Sequence, residues 1–205
     1  MTGDKTVLLS TAYLAPVEYY MQMYLRPHVI IEKQDNYVKQ TYRNRCTIVT
    51  ANGLQVLSIP VVKPDTLKCL TKDIRIADHG NWRHLHWNAI ISAYNSTPFF
   101  EYYEDGFRPF YEKKFEFLFD FNEQLREKVC SLLDIEPSVT YSLCYKPEAG
   151  FNEIDLRESI HPKKPFLSAE FKPYYQVFDT RFGFQPNLSI IDLLFNMGPE
   201  SVLYL

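Results

Sequence analysis

Apolar and polar positions change period several times along the chain, and each change marks an element. Thr6 to Ser10 is a short apolar run of the kind buried in a sheet. Pro16 opens a helical pattern that continues to about Leu25, because the fixed φ of proline suits a first helical turn, and Pro27 ends it. Val29-Ile30-Ile31 then reads as a second apolar strand. Strand, helix and strand in so short a span predict a βαβ unit with parallel strands and a right-handed crossover. Two alternating runs follow, Cys46 and Ile48, then Leu54, Val56, Ile59 and Val61, flanking Asn52-Gly53. That dipeptide accepts positive φ at both turn positions, so a hairpin is expected. Asp73-Ile-Arg-Ile-Ala77 alternates as a further strand.

The middle of the chain is helical in period. Trp82, Leu85, Ala89, Ile90 and Ala93 share one face, with Asp78 or Asn81 placed as the cap. An aromatic helix runs from about Phe99 to Tyr111, with an interruption expected near Gly106 and Pro109. Phe115, Leu118, Phe121, Leu125, Val129 and Leu132 form the strongest stripe, which stops before Pro137. Val139 to Leu143 reads as the last core strand. From about 147 to 173, prolines and charges replace periodic apolar positions, which predicts a long loop or lid. Ser189-Ile-Ile-Asp192 resembles a capping-box start, with Ile190, Leu193, Leu194 and Met197 on the apolar face and Gly198-Pro199 as the stop. Without an internal repeat or a clean domain boundary, the expectation is one α/β domain over 1–205. Its mixed sheet carries flanking helices, with a βαβ start, a hairpin and a helical middle.

Composition narrows the class. Of 205 residues, 46% are hydrophobic and 16% aromatic, which excludes disorder for most of the chain. The net charge of −3 argues against a nucleic-acid partner, which demands neutralised phosphates. Seven glycines stand against 15 Tyr and 15 Phe, enough ring surface for a tyrosine-lined cleft beside a core. Cys46, Cys69, Cys130 and Cys144 are far apart with no C-x-x-C pair; Cys46 and Cys130 read as buried thiols rather than zinc ligands. No run approaches the roughly 20 apolar residues of a membrane span. The polar first residues do not form a signal peptide, so a cytoplasmic location is expected.

Candidate chemistry lies at four places. Ser10, Thr11 and Tyr13 follow the first strand, where ligands collect outside the carboxyl ends of parallel strands; Ser10 or Thr11 can equally cap the helix. Asp35 follows the second strand and suits a sugar hydroxyl, a proton-accepting role or a plain loop bridge. Tyr42-Arg43-Asn44-Arg45 sets two guanidinium groups on a stiff element, and a guanidinium grips an anion with parallel bonds. His84 and His86 are two apart and diverge on a helix, so they do not chelate one metal. His86 is the preferred acid–base candidate, its alternative being a hydrogen-bonded histidine at the core margin. Asn187, Ser189 and Asp192 read as helix-start residues; there is no G-x-G-x-x-G and no P-loop, and the sequence leaves any cofactor unknown.

Several blocks resemble the WbqC-like family of bacteria, often associated with surface-polysaccharide gene clusters. They are Tyr13-Leu-Ala-Pro16 with Tyr19-Tyr20, Tyr42 to Arg45 with Gly53, Leu57, Ile59, Pro60 and Val61, Trp82 to Phe100, and Pro186 to Asp192 with Asn196 and Gly198. Many members carry His-Gln-Pro after the first strand, where this chain reads Leu9-Ser10-Thr11-Ala12. The resemblance implies surface-glycan biosynthesis, with transfer of an acyl or aminoacyl group to an amino sugar and a sugar nucleotide or activated acyl donor as small-molecule partner. The residues expected to line one cleft are Tyr13, Tyr42, Arg43, Asn44, Arg45 and His86. The rival is a non-catalytic sugar- or anion-binding or protein-assembly module, which the missing triplet favours.

Overall fold

A computed structural model describes residues 5–26, 28–64, 68–167 and 170–205. The expected helix stop at Pro27 lies outside the described residues. Strand β1 (Thr6–Ser10), helix α1 (Val17–Leu25) and strand β2 (His28–Glu32) form a parallel βαβ unit, with Val7 opposite Val29 and Leu9 opposite Ile31. All four of these residues are fully or nearly fully buried. Hairpin strands β3 (Arg45–Thr50) and β4 (Gly53–Ser58) pair antiparallel in a separate ribbon. Helices α2 (Trp82–Tyr94), α3 (Phe100–Glu112) and α4 (Leu118–Leu132) make the helical middle. Strands β5 (Ser138–Tyr141) and β6 (Glu153–Asp155) complete a four-stranded parallel sheet in the order β5-β2-β1-β6. A one-turn helix α5 (Asp179–Phe182), helix α6 (Ile190–Met197) and a 3₁₀ segment to Tyr204 end the chain. The fold is α/β, with parallel and antiparallel pairing kept in different sheets.

Several local expectations are corrected. The hairpin turn residues are Ala51 and Asn52, and only Gly53, just after them, has positive φ, at 100°. Cys46 pairs with Leu57 and Ile48 with Gln55, so the core side of β4 carries Leu57 while Leu54 and Val56 face out. Residues 73–77 form no strand: a 3₁₀ turn, Thr71–Asp73, is followed by single bridges from Arg75 to Phe117 and Ile76 to Val61. Helix α3 runs unbroken through Gly106 and Pro109 because Phe100, Tyr103, Phe107 and Tyr111 bury one continuous stripe, which outweighs the proline penalty. Val139 to Leu143 does not hold the last strand, since β6 lies within the stretch expected to be a loop. Its Thr6–Glu153 and Val7–Ile154 pairings supply backbone partners on the open side of β1.

The two N-termini at α1 and α6 satisfy one another. Val17 N–H donates to Leu188 O at 3.0 Å, and Ile190 N–H donates to Ala15 O at 2.9 Å. Asn187 Oδ1 accepts from the Glu18 backbone at 2.9 Å, so Asn187 caps α1 rather than the helix beside it. The expected capping box at Ser189 does not form: its Oγ donates to Leu14 O at 2.8 Å. Asp192 is fully buried and accepts from Tyr174 Oη at 2.7 Å and Gln176 Nε2 at 2.8 Å instead of serving the helix start.

Candidate functional site

The carboxyl ends of β1, β2 and β6 converge on two buried guanidinium groups. Arg43 is 2% exposed and follows a tight turn in which Thr41 Oγ1 accepts from the Arg43 backbone. Its Nη2 reaches Asp35 Oδ2 at 2.6 Å, Ser10 Oγ at 2.9 Å and Glu158 Oε1 at 2.9 Å. Burial opposes the charge on Arg43, but Asp35 and Glu158 more than offset that, and its pKa lies above the ordinary arginine value. Arg157, just past β6, donates to both Asp155 oxygens at 2.9 and 2.5 Å, to Glu32 Oε2 at 3.1 Å and to Lys146 O at 2.9 Å. The bond to Asp155 is the main reason the Arg157 pKa is raised and that of Asp155 lowered. Ser10 joins the two clusters, since its Oγ donates to Arg157 O at 3.0 Å while accepting from Arg43.

Three cavities meet at Arg157. One of about 10 Å³ is lined by Ser10, Thr11, Tyr42, Arg43 and Arg157 and is no larger than a single water site. A second, about 530 Å³, is lined by Asp35, Asp155, Glu158, Arg157 and Tyr145. A third, about 350 Å³, lies on the sheet face that carries Leu8, Ile30 and Thr140, with Glu32, Lys146 and Arg157 at its edge. The two larger spaces fall within the size range of small-molecule sites. Segment 142–147 runs between them: Ser142 and Lys146 line one, and Tyr145 and Pro147 the other.

The candidate residues of the sequence do not share one cleft. Ser10, Asp35 and Arg43 meet at the sheet edge, and Tyr42 lines the small cavity with burial pushing its pKa up to about 12. Thr11 turns inward and donates to Glu123 Oε1 at 2.8 Å; Glu123 in turn accepts from Arg126 Nε at 2.7 Å. Asn44 serves the hairpin, where its Nδ2 donates to Ile59 O at 2.9 Å. Arg45 is half-buried, forms no ion pair among the described residues and keeps a buried, unpartnered Nε. Tyr13 and His86 lie in the core, away from these cavities. Tyr13 Oη is 3.0 Å from His86 Nδ1 and 2.8 Å from Tyr111 Oη, and the Trp82 ring packs edge-on against His86. Burial lowers the His86 pKa to about 4, so the ring is neutral at pH 7. The Tyr13 hydroxyl thus bridges the neutral His86 ring and the Tyr111 hydroxyl inside the core.

Arg157, Glu158, Asp155 and Glu32 were not singled out in the sequence as functional. The available signal was Glu153-Ile-Asp155-Leu-Arg157-Glu158, where polar and apolar positions alternate inside the proline-rich stretch. Among the described residues no group of three or more His, Cys, Asp or Glu is arranged to hold a metal ion, and no helix is long and apolar enough to cross a membrane.

A parallel sheet whose carboxyl edge carries an arginine–carboxylate cluster beside an open polar cavity defines an α/β protein with a small-molecule-sized site. The chain belongs to the WbqC-like protein family, which it matches over residues 11–163 and 157–204. It is similar to the uncharacterized protein Rv1507c of Mycobacterium tuberculosis, 26% identical over 233 residues, covering 98% of this chain and 97% of that protein. No solved structure matches the chain significantly.

Proposed function

We propose that this WbqC-like protein is a cytoplasmic acyl- or aminoacyl-group transferase of bacterial surface-polysaccharide biosynthesis. The observation that carries the reading is the polar cavity of about 530 Å³ at the carboxyl edge of the sheet, lined by Asp35, Asp155, Glu158 and Arg157. Convergent carboxylates accept hydrogen bonds from sugar hydroxyls or from the amine of an amino sugar. Arg43 or Arg45 holds a phosphate or carboxylate of the substrate, which is a sugar nucleotide or an activated acyl donor. Asp35 lines this cavity and takes the proton of the amine as it attacks the activated acyl carbon and expels the donor's leaving group. It is preferred to His86, whose Nδ1 is already engaged by Tyr13.

A thermal-shift screen with sugar nucleotides, acyl-CoAs and amino acids tests the proposal. Stabilisation by one activated donor is expected, with Arg43→Lys weakening its binding in calorimetry while circular dichroism shows the fold kept. The rival reading, a non-catalytic binding or assembly module, is favoured by Ser10 and Thr11. They stand where many family members carry His-Gln-Pro, and both hydroxyls are spent on internal bonds. No response to any donor, together with a co-purifying protein, would decide for the module.

A further inference from the structure

We infer that Glu158 is an internal stand-in for an anionic substrate group: its carboxylate fills an oxyanion site on Arg43 and leaves when a carboxylate or phosphate monoester takes its place. The inference rests on the reading that an arginine at this edge holds an anion, and it adds which arginine and what guards it.

The two carboxylates on Arg43 are not equivalent. The Asp35 side chain is 10% exposed and bonds at 2.6 Å, so it is part of the interior. The Glu158 side chain is 56% exposed and bonds at 2.9 Å. A carboxylate that is mostly in water regains its hydration when it swings away, so its release is easy; release of Asp35 would strand a charge in the interior. Arg43 itself does not move with it, because Ser10 and Asp35 keep their hold. Its donor capacity is also not used up: Nε is buried without a partner. A ligand oxygen pair offers a second acceptor that the single Glu158 oxygen does not.

The geometry around the pair fits exchange. Glu158 lines the 530 Å³ polar cavity, whereas Arg43 lines only the 10 Å³ space behind it. With Glu158 in place the guanidinium is closed off from the larger cavity; with Glu158 swung out it becomes part of the wall. Arg157 is a further cation in the wall of the larger cavity, beside Asp35, Asp155 and Glu158. The charges of Glu158, Lys163, Lys164 and Arg43 all act on His161, and both lysines are exposed. Lys163 Nζ also reaches back to Gln40 Oε1 at 3.0 Å, which keeps this segment against the turn that leads to Arg43.

The test uses wild type, Glu158→Ala and Glu158→Gln, with inorganic phosphate and acetate as separate probes. Binding is read by calorimetry and by thermal shift, and circular dichroism confirms the fold of each variant. Both variants are expected to bind at least one probe with at least about tenfold higher affinity than wild type, since the competing carboxylate is gone or uncharged. Preference for acetate would mark a carboxylate substrate, and preference for phosphate a phosphate monoester. Equal affinities in all three proteins would overturn the role of Glu158 and leave the anion reading standing. Absence of binding in all three would overturn both. Should Glu158→Ala fail to fold, Glu158→Gln alone decides, because it keeps the shape and removes the charge.

Discussion

Asp192 offers the sharpest quantitative test, because its carboxyl is fully buried and has no cation beside it. Tyr174 Oη and Gln176 Nε2 donate to one oxygen, while Oδ1 and the nearby Tyr94 Oη lack well-formed partners. Burial is the largest influence, only partly countered by the three side chains, and it lifts the pKa from 3.8 to about 6. Between those two values the folded state binds more protons than the unfolded chain, so this group makes stability fall as pH rises through them. The linkage relation gives a swing of about 2 kcal/mol between about pH 4.5, where the folded carboxyl is protonated, and about pH 7.5, where it is ionised. Asp192→Asn removes the titration and keeps the shape: its oxygen still accepts from Tyr174 and Gln176, and its amide faces Tyr94. Urea unfolding of both proteins at both pH values isolates the group, because every other titration cancels in the difference. Relative to wild type, the variant should gain about 2 kcal/mol on going from about pH 4.5 to about pH 7.5. A difference that is the same at both pH values would refute the argument that desolvation dominates this carboxyl.

Other expectations follow from the same kind of reasoning. Arg157→Met leaves Glu32 and Asp155 without their cation, and Glu32 is 3% exposed, so a loss of about 3–5 kcal/mol in urea unfolding is expected. The His86 imidazole should show no titration in NMR spectra across the neutral range, because burial holds its pKa near 4; a midpoint close to 6.5 would contradict that. Gly198→Ala should destabilise far more than Gly106→Ala. A Cβ at Gly198 would meet Phe99 ring atoms at 2.5 Å on a backbone with φ of 57°, whereas at Gly106 it would meet the movable end of Lys128 at 2.7 Å. Thermal unfolding should show the first losing about 2 kcal/mol or more and the second little.

Much of the fold was legible because its signals are local. The runs at Thr6–Ser10 and Val29–Ile31, with the helix between, predict a parallel pair whatever lies beyond them. The stripe Leu118, Phe121, Leu125 and Val129 names its own buried face. Local signals failed where a partner distant in sequence decided the outcome. Pro109 and Gly106 mark a break by propensity, yet the aromatic stripe of α3 packs against Trp87 of α2 and Phe195 of α6 as one surface. Strand β6 is three residues long and was hidden among prolines; it exists because β1 has an open edge to pair with.

At the candidate site the division is clearer. Arginines at 43 and 45 and the aspartate at 35 can be read from the chain as residues able to bind an anion or move a proton. Composition and periodicity also suffice for an α/β chain opening with a parallel βαβ unit. Which guanidinium is buried, which carboxylates face it and which histidine stays neutral all depend on contacts across long separations. Arg43 meets Glu158 across 115 residues, and His86 meets Tyr13 across 73. Charge and burial are properties of a neighbourhood, and for these side chains only the folded chain assembles one: its strands bring loop ends together at one edge of the sheet and so exclude the water that would have made the residues equivalent.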